Sequence, residues 1–126
     1  MKTTEWFICL AYERYSFLIP HSYNIVNGSI PDIFIDFDKL AKDMFSVENS
    51  EKHPAAITVK CTKTAMLSTS AIPTIHQADL KEFYIPSGII EEHSKEIGII
   101  AISFSPKGIS VIINPELLYE EWSKEK

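Results

Sequence analysis

The stretch from Ile97 to Trp122 constrains the fold of this chain more than any other. Two apolar runs rich in β-branched residues, Ile97–Ser105 and Ile109–Ile113, flank the turn-forming Ser105-Pro106-Lys107-Gly108. That pattern predicts a β-hairpin, with Pro106 pre-setting one turn residue and Gly108 supplying a positive φ. A helix is predicted at once after it, with Asn114 as N-cap, Pro115 at the first helical position and Glu116 in the first turn. From Ile99 to Phe104 and from Ile109 to Ile113 there is no titratable side chain. The hairpin therefore reads as scaffold, and activity is expected on what surrounds it.

Working back to the N-terminus, Trp6–Ala11 and Tyr15–Ile19 are apolar runs close enough to pair across Tyr12-Glu13-Arg14. His21–Ile30 is a predicted loop around Asn27-Gly28, and Ile33–Ile35 a short strand. Phe37, Leu40, Ala41, Met44 and Phe45 then fall at i, i+3, i+4, i+7 and i+8, one apolar stripe of a helix capped by Asp36. Glu48–Pro54 reads as a loop. Ala55–Lys63 alternates with period two, Ile57, Val59 and Cys61 on the inner side, and Thr64–Ile72 is expected to return beside it. Thr74-Ile-His-Gln77 fits a capping box, which predicts a short helix with Ile75 and Ala78 inward, ending before Pro86. Ser87–Glu96 is read as a further helical turn, with a strand at Gly88–Ile90 as the alternative. The resulting order, β-β-β-α-β-β-α-β-β-α, predicts an α+β fold: a mostly antiparallel sheet of about five to seven strands with two to four helices packed on it.

A chain of 126 residues, 45% hydrophobic and 23% charged, fits one globular domain spanning residues 1–126. No apolar run approaches the roughly 18–20 residues that cross a bilayer. The run Trp6–Tyr12 is short, Glu5 interrupts its basic flank, and no small-residue cleavage site follows it. A cytoplasmic protein without a membrane partner is expected. Cys9 and Cys61 lie in separate apolar runs and read as two reduced thiols. Net charge is −5, and Arg14 is the single arginine among twelve basic residues, a poor endowment for gripping phosphates and base edges, so no nucleic-acid partner is expected.

Chemistry is sparsely signalled. His21, His53, His76 and His93 include no pair at helical ligand spacing, and His76-x-x-Asp79 and Glu92-His93 fall short of the three or four ligands that zinc needs. Gly-x-Ser-x-Gly, Gly-x-Gly-x-x-Gly and phosphate-loop patterns are absent. Ser22 beside His21 is only a sequence neighbour. Cys61 reads as a core thiol, since burial raises a thiol pKa and silences it. No cofactor, no metal and no catalytic residue are expected.

Acid is unevenly spread. Asp32, Asp36, Asp38, Asp43, Glu48 and Glu51 outnumber Lys39 and Lys42 in one segment, and five acids face Lys81 and Lys95 between Asp79 and Glu96. Glu116 and Glu120 add an i, i+4 pair near the C-terminus. If these segments share a face, they steer a basic protein partner. On the acidic stretch Asp32–Glu51 and the missing catalytic motifs, the chain resembles bacterial toxin-immunity proteins, including those of contact-dependent inhibition systems. That resemblance implies a small cytoplasmic binding module that neutralises a basic toxin, with Asp36, Asp38, Asp43, Glu116 and Glu120 as the expected contacts. Two alternatives stand beside it: a structural or assembly subunit pairing exposed strand edges, and a small enzyme with His21, His76 or His93 as general base.

Overall fold

The computed structural model describes residues 4–24, 30–49, 53–85, 98–106 and 108–124. Its elements are β1 (Thr4–Tyr12), β2 (Tyr15–Pro20), β3 (Ile33–Asp36), α1 (Phe37–Phe45), β4 (Ala55–Lys60), β5 (Thr64–Thr69), β6 (Thr74–Asp79), β7 (Ile99–Ser105), β8 (Gly108–Ile113) and α2 (Pro115–Lys124). Single 3-10 turns, His21–Tyr23 and Leu80–Glu82, follow β2 and β6.

The strands form two sheets. The larger has the order β6-β1-β2-β8-β7 and the smaller β3-β5-β4. Pairing is antiparallel except at β2–β8 and β3–β5, where strands distant in sequence run parallel. The β1–β2 hairpin closes through Tyr12 opposite Tyr15, with Glu13 at a φ of 54° in the turn. The β7–β8 hairpin closes through Ser105 opposite Gly108, and its β8 strand lies inside the sheet while β7 is an edge.

The main core lies between the sheets. Ile8, Leu10, Tyr12, Phe17, Ile19, Val111 and Ile113 from the larger sheet meet Ile35, Ile57, Val59, Ala65 and Leu67 from the smaller. Phe37 and Ala41 of α1 and Leu118 of α2 complete it. Aromatic rings tie the layers together: Phe17 meets Phe37 edge-on at 5.1 Å and Tyr15 meets Phe45 at 4.7 Å between centroids. The other face of the larger sheet is also covered. Phe7, Cys9, Leu18 and Ile112 form a second, smaller cluster, with Ala78, Phe83 and Ala101 packed against it. Burial on both faces explains why Phe7–Leu10 is apolar at every position instead of alternating. After β6 the chain crosses back to the far edge of the sheet, where Tyr84 and Ile102 exchange two backbone hydrogen bonds of 2.8 Å. The larger sheet thus curls around the second cluster.

Local chemistry accounts for both helices. Lys39 N–H donates to the Asp36 carboxylate at 3.2 Å, and Ser46 closes α1 in the left-handed region. Glu116 N–H donates to the Asn114 side chain at 2.9 Å, and both caps lie where the sequence put them.

The α+β expectation is corrected. Among the described residues there are eight strands in two sheets and two α-helices, a β-rich fold rather than one sheet with helices packed on it. The main error lies at Thr74–Gln77, which is the edge strand β6 and not a capped helix. The free edge of β1 offers six successive partners, Thr4↔Asp79 to Cys9↔Thr74, and that ladder outweighs a local cap over β-compatible Thr74, Ile75 and His76. Ala55–Lys63 also ends early, at Lys60, where Cys61–Lys63 makes the turn into β5. The reading of Ser87–Glu96 lies outside the described residues.

Candidate functional site

The acids expected to meet a partner occupy different chemical settings. Asp36 caps α1 and is exposed, and Asp43 is exposed on the same helix. Asp38 is half-buried: it accepts hydrogen bonds from the Tyr12 hydroxyl, from Ser70 N–H at 2.8 Å and from the Ser70 hydroxyl at 3.1 Å. Glu116 accepts Thr62 N–H with both carboxylate oxygens, at 2.9 and 2.8 Å, and accepts the Thr62 hydroxyl as well. Glu120 is exposed on α2. Asp38 and Glu116 are thus ties within the fold: the first joins β1, α1 and the end of β5, and the second pins α2 to the β4–β5 turn.

The Asp38 tie borders a cavity of about 210 Å³, lined by Tyr12, Asp36, Asp38, Lys39, Lys42, Val47, Glu48, Asn49 and Ser70. Lys42 reaches Glu48 at 3.0 Å, and Asn49 donates to the Ser70 hydroxyl at 3.0 Å. Burial, then the hydrogen bond to Asp38, pushes the Tyr12 hydroxyl well above its ordinary pKa. It also shares a hydrogen bond with Thr69. A neutral phenol held this way is a buried donor, unsuited to proton transfer near neutral pH.

The remaining titratable candidates do not converge. His21 follows β2, His53 precedes β4 and His76 lies on β6; all three are exposed, and His93 is outside the described residues. Among the described residues no three of His, Cys, Asp and Glu gather as metal ligands. Cys9 and Cys61 are free thiols. Burial, then Glu116, raises Cys61 to about 11, and burial also raises Cys9 despite hydrogen bonds with Ser16 and Thr74. Both thiols are therefore poor nucleophiles.

Part of the exposed apolar surface is carried by strands. Trp6 is 56% exposed and Ile75 60%, diagonal neighbours across β1–β6 where Trp6 faces Gln77 and Ile8 faces Ile75. Phe104 on β7 is 66% exposed, with exposed Tyr84 bridged to Ile102 beside it. Phe34 projects from the outer face of the smaller sheet. A groove of about 490 Å³ is lined by residues of the larger sheet and the turn after β6, among them Thr4, Ser16, His76, Gln77, Asp79, Glu82, Ser103 and Ser110. Sequence reasoning missed the exposed Ile75 because it placed this residue on the inner face of a helix. The signal available was the β-compatible Thr74-Ile75-His76 with no helix-favouring run behind it.

No known family's model matches the chain, and no curated protein matches it. Among solved structures the fold is similar to the crystal structure of the scaffolding protein TtCheW from Thermoanaerobacter tengcongensis, with a TM-score of 0.60, 13% identity and 92% of each chain covered. The likeness is one of fold and extends over nearly the whole of both chains. The expected role as an immunity protein and toxin inhibitor is corrected: the solved structure that the fold resembles is that of a scaffolding protein, and three of the five expected contact acids, Asp36, Asp38 and Glu116, are hydrogen-bonded to the chain's own groups. Among the described residues no helix is long and apolar enough to cross a membrane.

Proposed function

We propose that this chain is a scaffolding protein without catalytic activity, which holds protein partners on its strand surfaces. The observation that carries the reading is the likeness in fold, over 92% of each chain, to a protein whose described role is scaffolding. The surface supports it: exposed Trp6, Ile75, Phe34, Tyr84 and Phe104 lie on or beside strands, where aromatic side chains commonly anchor partners. The chemistry supports it too, since the described histidines, His21, His53 and His76, lie on separate segments of the chain and burial raises the pKa of both thiols. In this reading the scaffold works in the cytoplasm, where two free cysteines persist reduced.

The test is affinity capture from the source cell followed by size-exclusion of the complex. A partner retained in fixed stoichiometry by the wild type, and lost on replacing Trp6, Tyr84 and Phe104 together by serine, is the expected result. Recovery of no partner, or turnover of a substrate by the purified chain, would overturn the reading.

A further inference from the structure

Each sheet edge is guarded differently. The outer edge of β7 is engaged by Tyr84 and that of β4 by the Asn24–Val59 bridge. The β3 strand is only four residues long and runs directly into α1. The β6 strand is six residues long, pairs with β1 alone among the described residues, and contains neither proline nor lysine. Thr74 to Gln77 are all exposed. Natural proteins interrupt long free edges with such residues, because an unpaired row of N–H and C=O groups recruits another strand. Among the described residues this edge has no strand beside it.

We propose that β6 is a docking edge for an extended strand of a partner protein, one that carries apolar residues and a basic residue at its N-terminal end. The strand would pair antiparallel to β6 and extend the larger sheet by β-augmentation. Its apolar side chains would pack on Ile75 and Trp6, which share a face and are more than half exposed. Its first residue would lie opposite Asp79, where Glu5 and Glu82 add negative charge against Lys81. That charge selects the occupant. The β6 strand of a second copy, paired antiparallel, would bring the uncharged Thr74 opposite Asp79 on a chain of net charge −5, so charge favours a different, basic-ended strand. The inference rests on the scaffolding reading and names the kind of partner it holds.

The probe is a soluble hexapeptide beginning with lysine and alternating valine with threonine, titrated to millimolar concentration against the full chain while backbone amide shifts and exchange are followed. The expected result is slowed exchange confined to Thr74–Asp79, with a twin peptide beginning in glutamate binding about tenfold more weakly. Ile75→Glu, at an exposed position, should abolish binding although it adds negative charge, which separates strand docking from simple ionic attachment. Asp79→Asn should weaken the lysine peptide and leave the glutamate twin no weaker. Absence of binding, protection elsewhere, or unchanged binding to Ile75→Glu would overturn the proposal. So would a dimer in light scattering that Ile75→Glu dissolves, since a second copy would then own the edge. If the wild type and Ile75→Glu capture the same cellular partner equally, the edge fails and scaffolding stands. If neither captures any partner, scaffolding fails and the peptide titration decides the edge by itself.

Discussion

Asp38 shows how a side chain's role depends on what lies above it in space. From its neighbours Asp36 and Lys39 it reads as one more solvated acid. In the fold it gathers the Tyr12 hydroxyl and two groups of Ser70, and so joins residues 26 and 32 positions away in the chain. Hydrogen bonds to an ionised acceptor are worth more than neutral ones, and losing this one leaves the hydroxyl of fully buried Tyr12 without its main acceptor. Asp38→Ala should cost about 3 kcal/mol in urea unfolding, while Asp43→Ala on the exposed side of the same helix should stay within about 0.5 kcal/mol. Equal effects would deny the tie. Cys61 makes a second prediction. Its folded pKa, about 11, lies above the ordinary 9.0, so the neutral thiol is favoured by folding. Its contribution to stability is fully present below pH 9 and is lost as pH rises toward 11. Between pH 9 and 11 the melting temperature should fall less steeply for Cys61→Ala than for the wild type. At pH 8 a shift of this size lowers the thiolate fraction, and with it alkylation of Cys61 by iodoacetamide, roughly 100-fold relative to a free cysteine.

At the scale of elements, local rules held where they concerned caps and turns and failed where a distant strand competed. Asp36 and Asn114 cap the helices they were expected to cap, and Gly108 has the positive φ that the β7–β8 turn was expected to need, 144°. What the turn pattern does not disclose is that this glycine also faces the other hairpin. A Cβ there would sit 2.1 Å from the Arg14 carbonyl oxygen, which Ile109 N–H approaches at 2.8 Å to begin the parallel β2–β8 pairing. Gly108→Ala should therefore cost about 2–3 kcal/mol by strain and displaced backbone, measured by thermal unfolding, and Pro106→Ala much less. The Thr74–Gln77 box is the counter-example. Its residues satisfy a cap on paper, yet the same residues satisfy six rungs of ladder against β1, and pairing whole backbone groups outweighs one reciprocal cap. A sequence window contains the cap but not the waiting edge.

At the scale of the molecule, the two sheets share one main core, so neither can lose its packing alone. Fluorescence of the tryptophans and far-ultraviolet circular dichroism should report coincident urea transitions, and two separated transitions would mean that the sheets are independent units. Glu116 reaches across this architecture to Thr62, 54 residues back. Because that contact is solvent-exposed, Glu116→Ala should cost only about 1 kcal/mol and keep the single transition. The expected acidic partner surface divides at this scale as well. Asp38 and Glu116 serve internal ties, whereas the acids that flank β6, Glu5, Asp79 and Glu82, come together only because β1 and β6 pair.

By itself the sequence determined the hairpins β1–β2 and β7–β8, the helix α1 with its Asp36 cap, the start of α2 at Asn114 and the inward side of β4. Each of these rests on contacts between residues a few positions apart, which periodicity and turn chemistry record. Only the tertiary structure decided that the β7–β8 hairpin contributes one inner and one edge strand, that two sheets enclose the core, and that Thr74–Asp79 is a strand with no neighbour on its outer side among the described residues. Those outcomes depend on which edges meet over long separations, through the parallel pairs β2–β8 and β3–β5 and the ladder β1–β6. Strand pairing is made by backbone groups that every residue carries, so the choice of partner leaves little trace in the order of side chains.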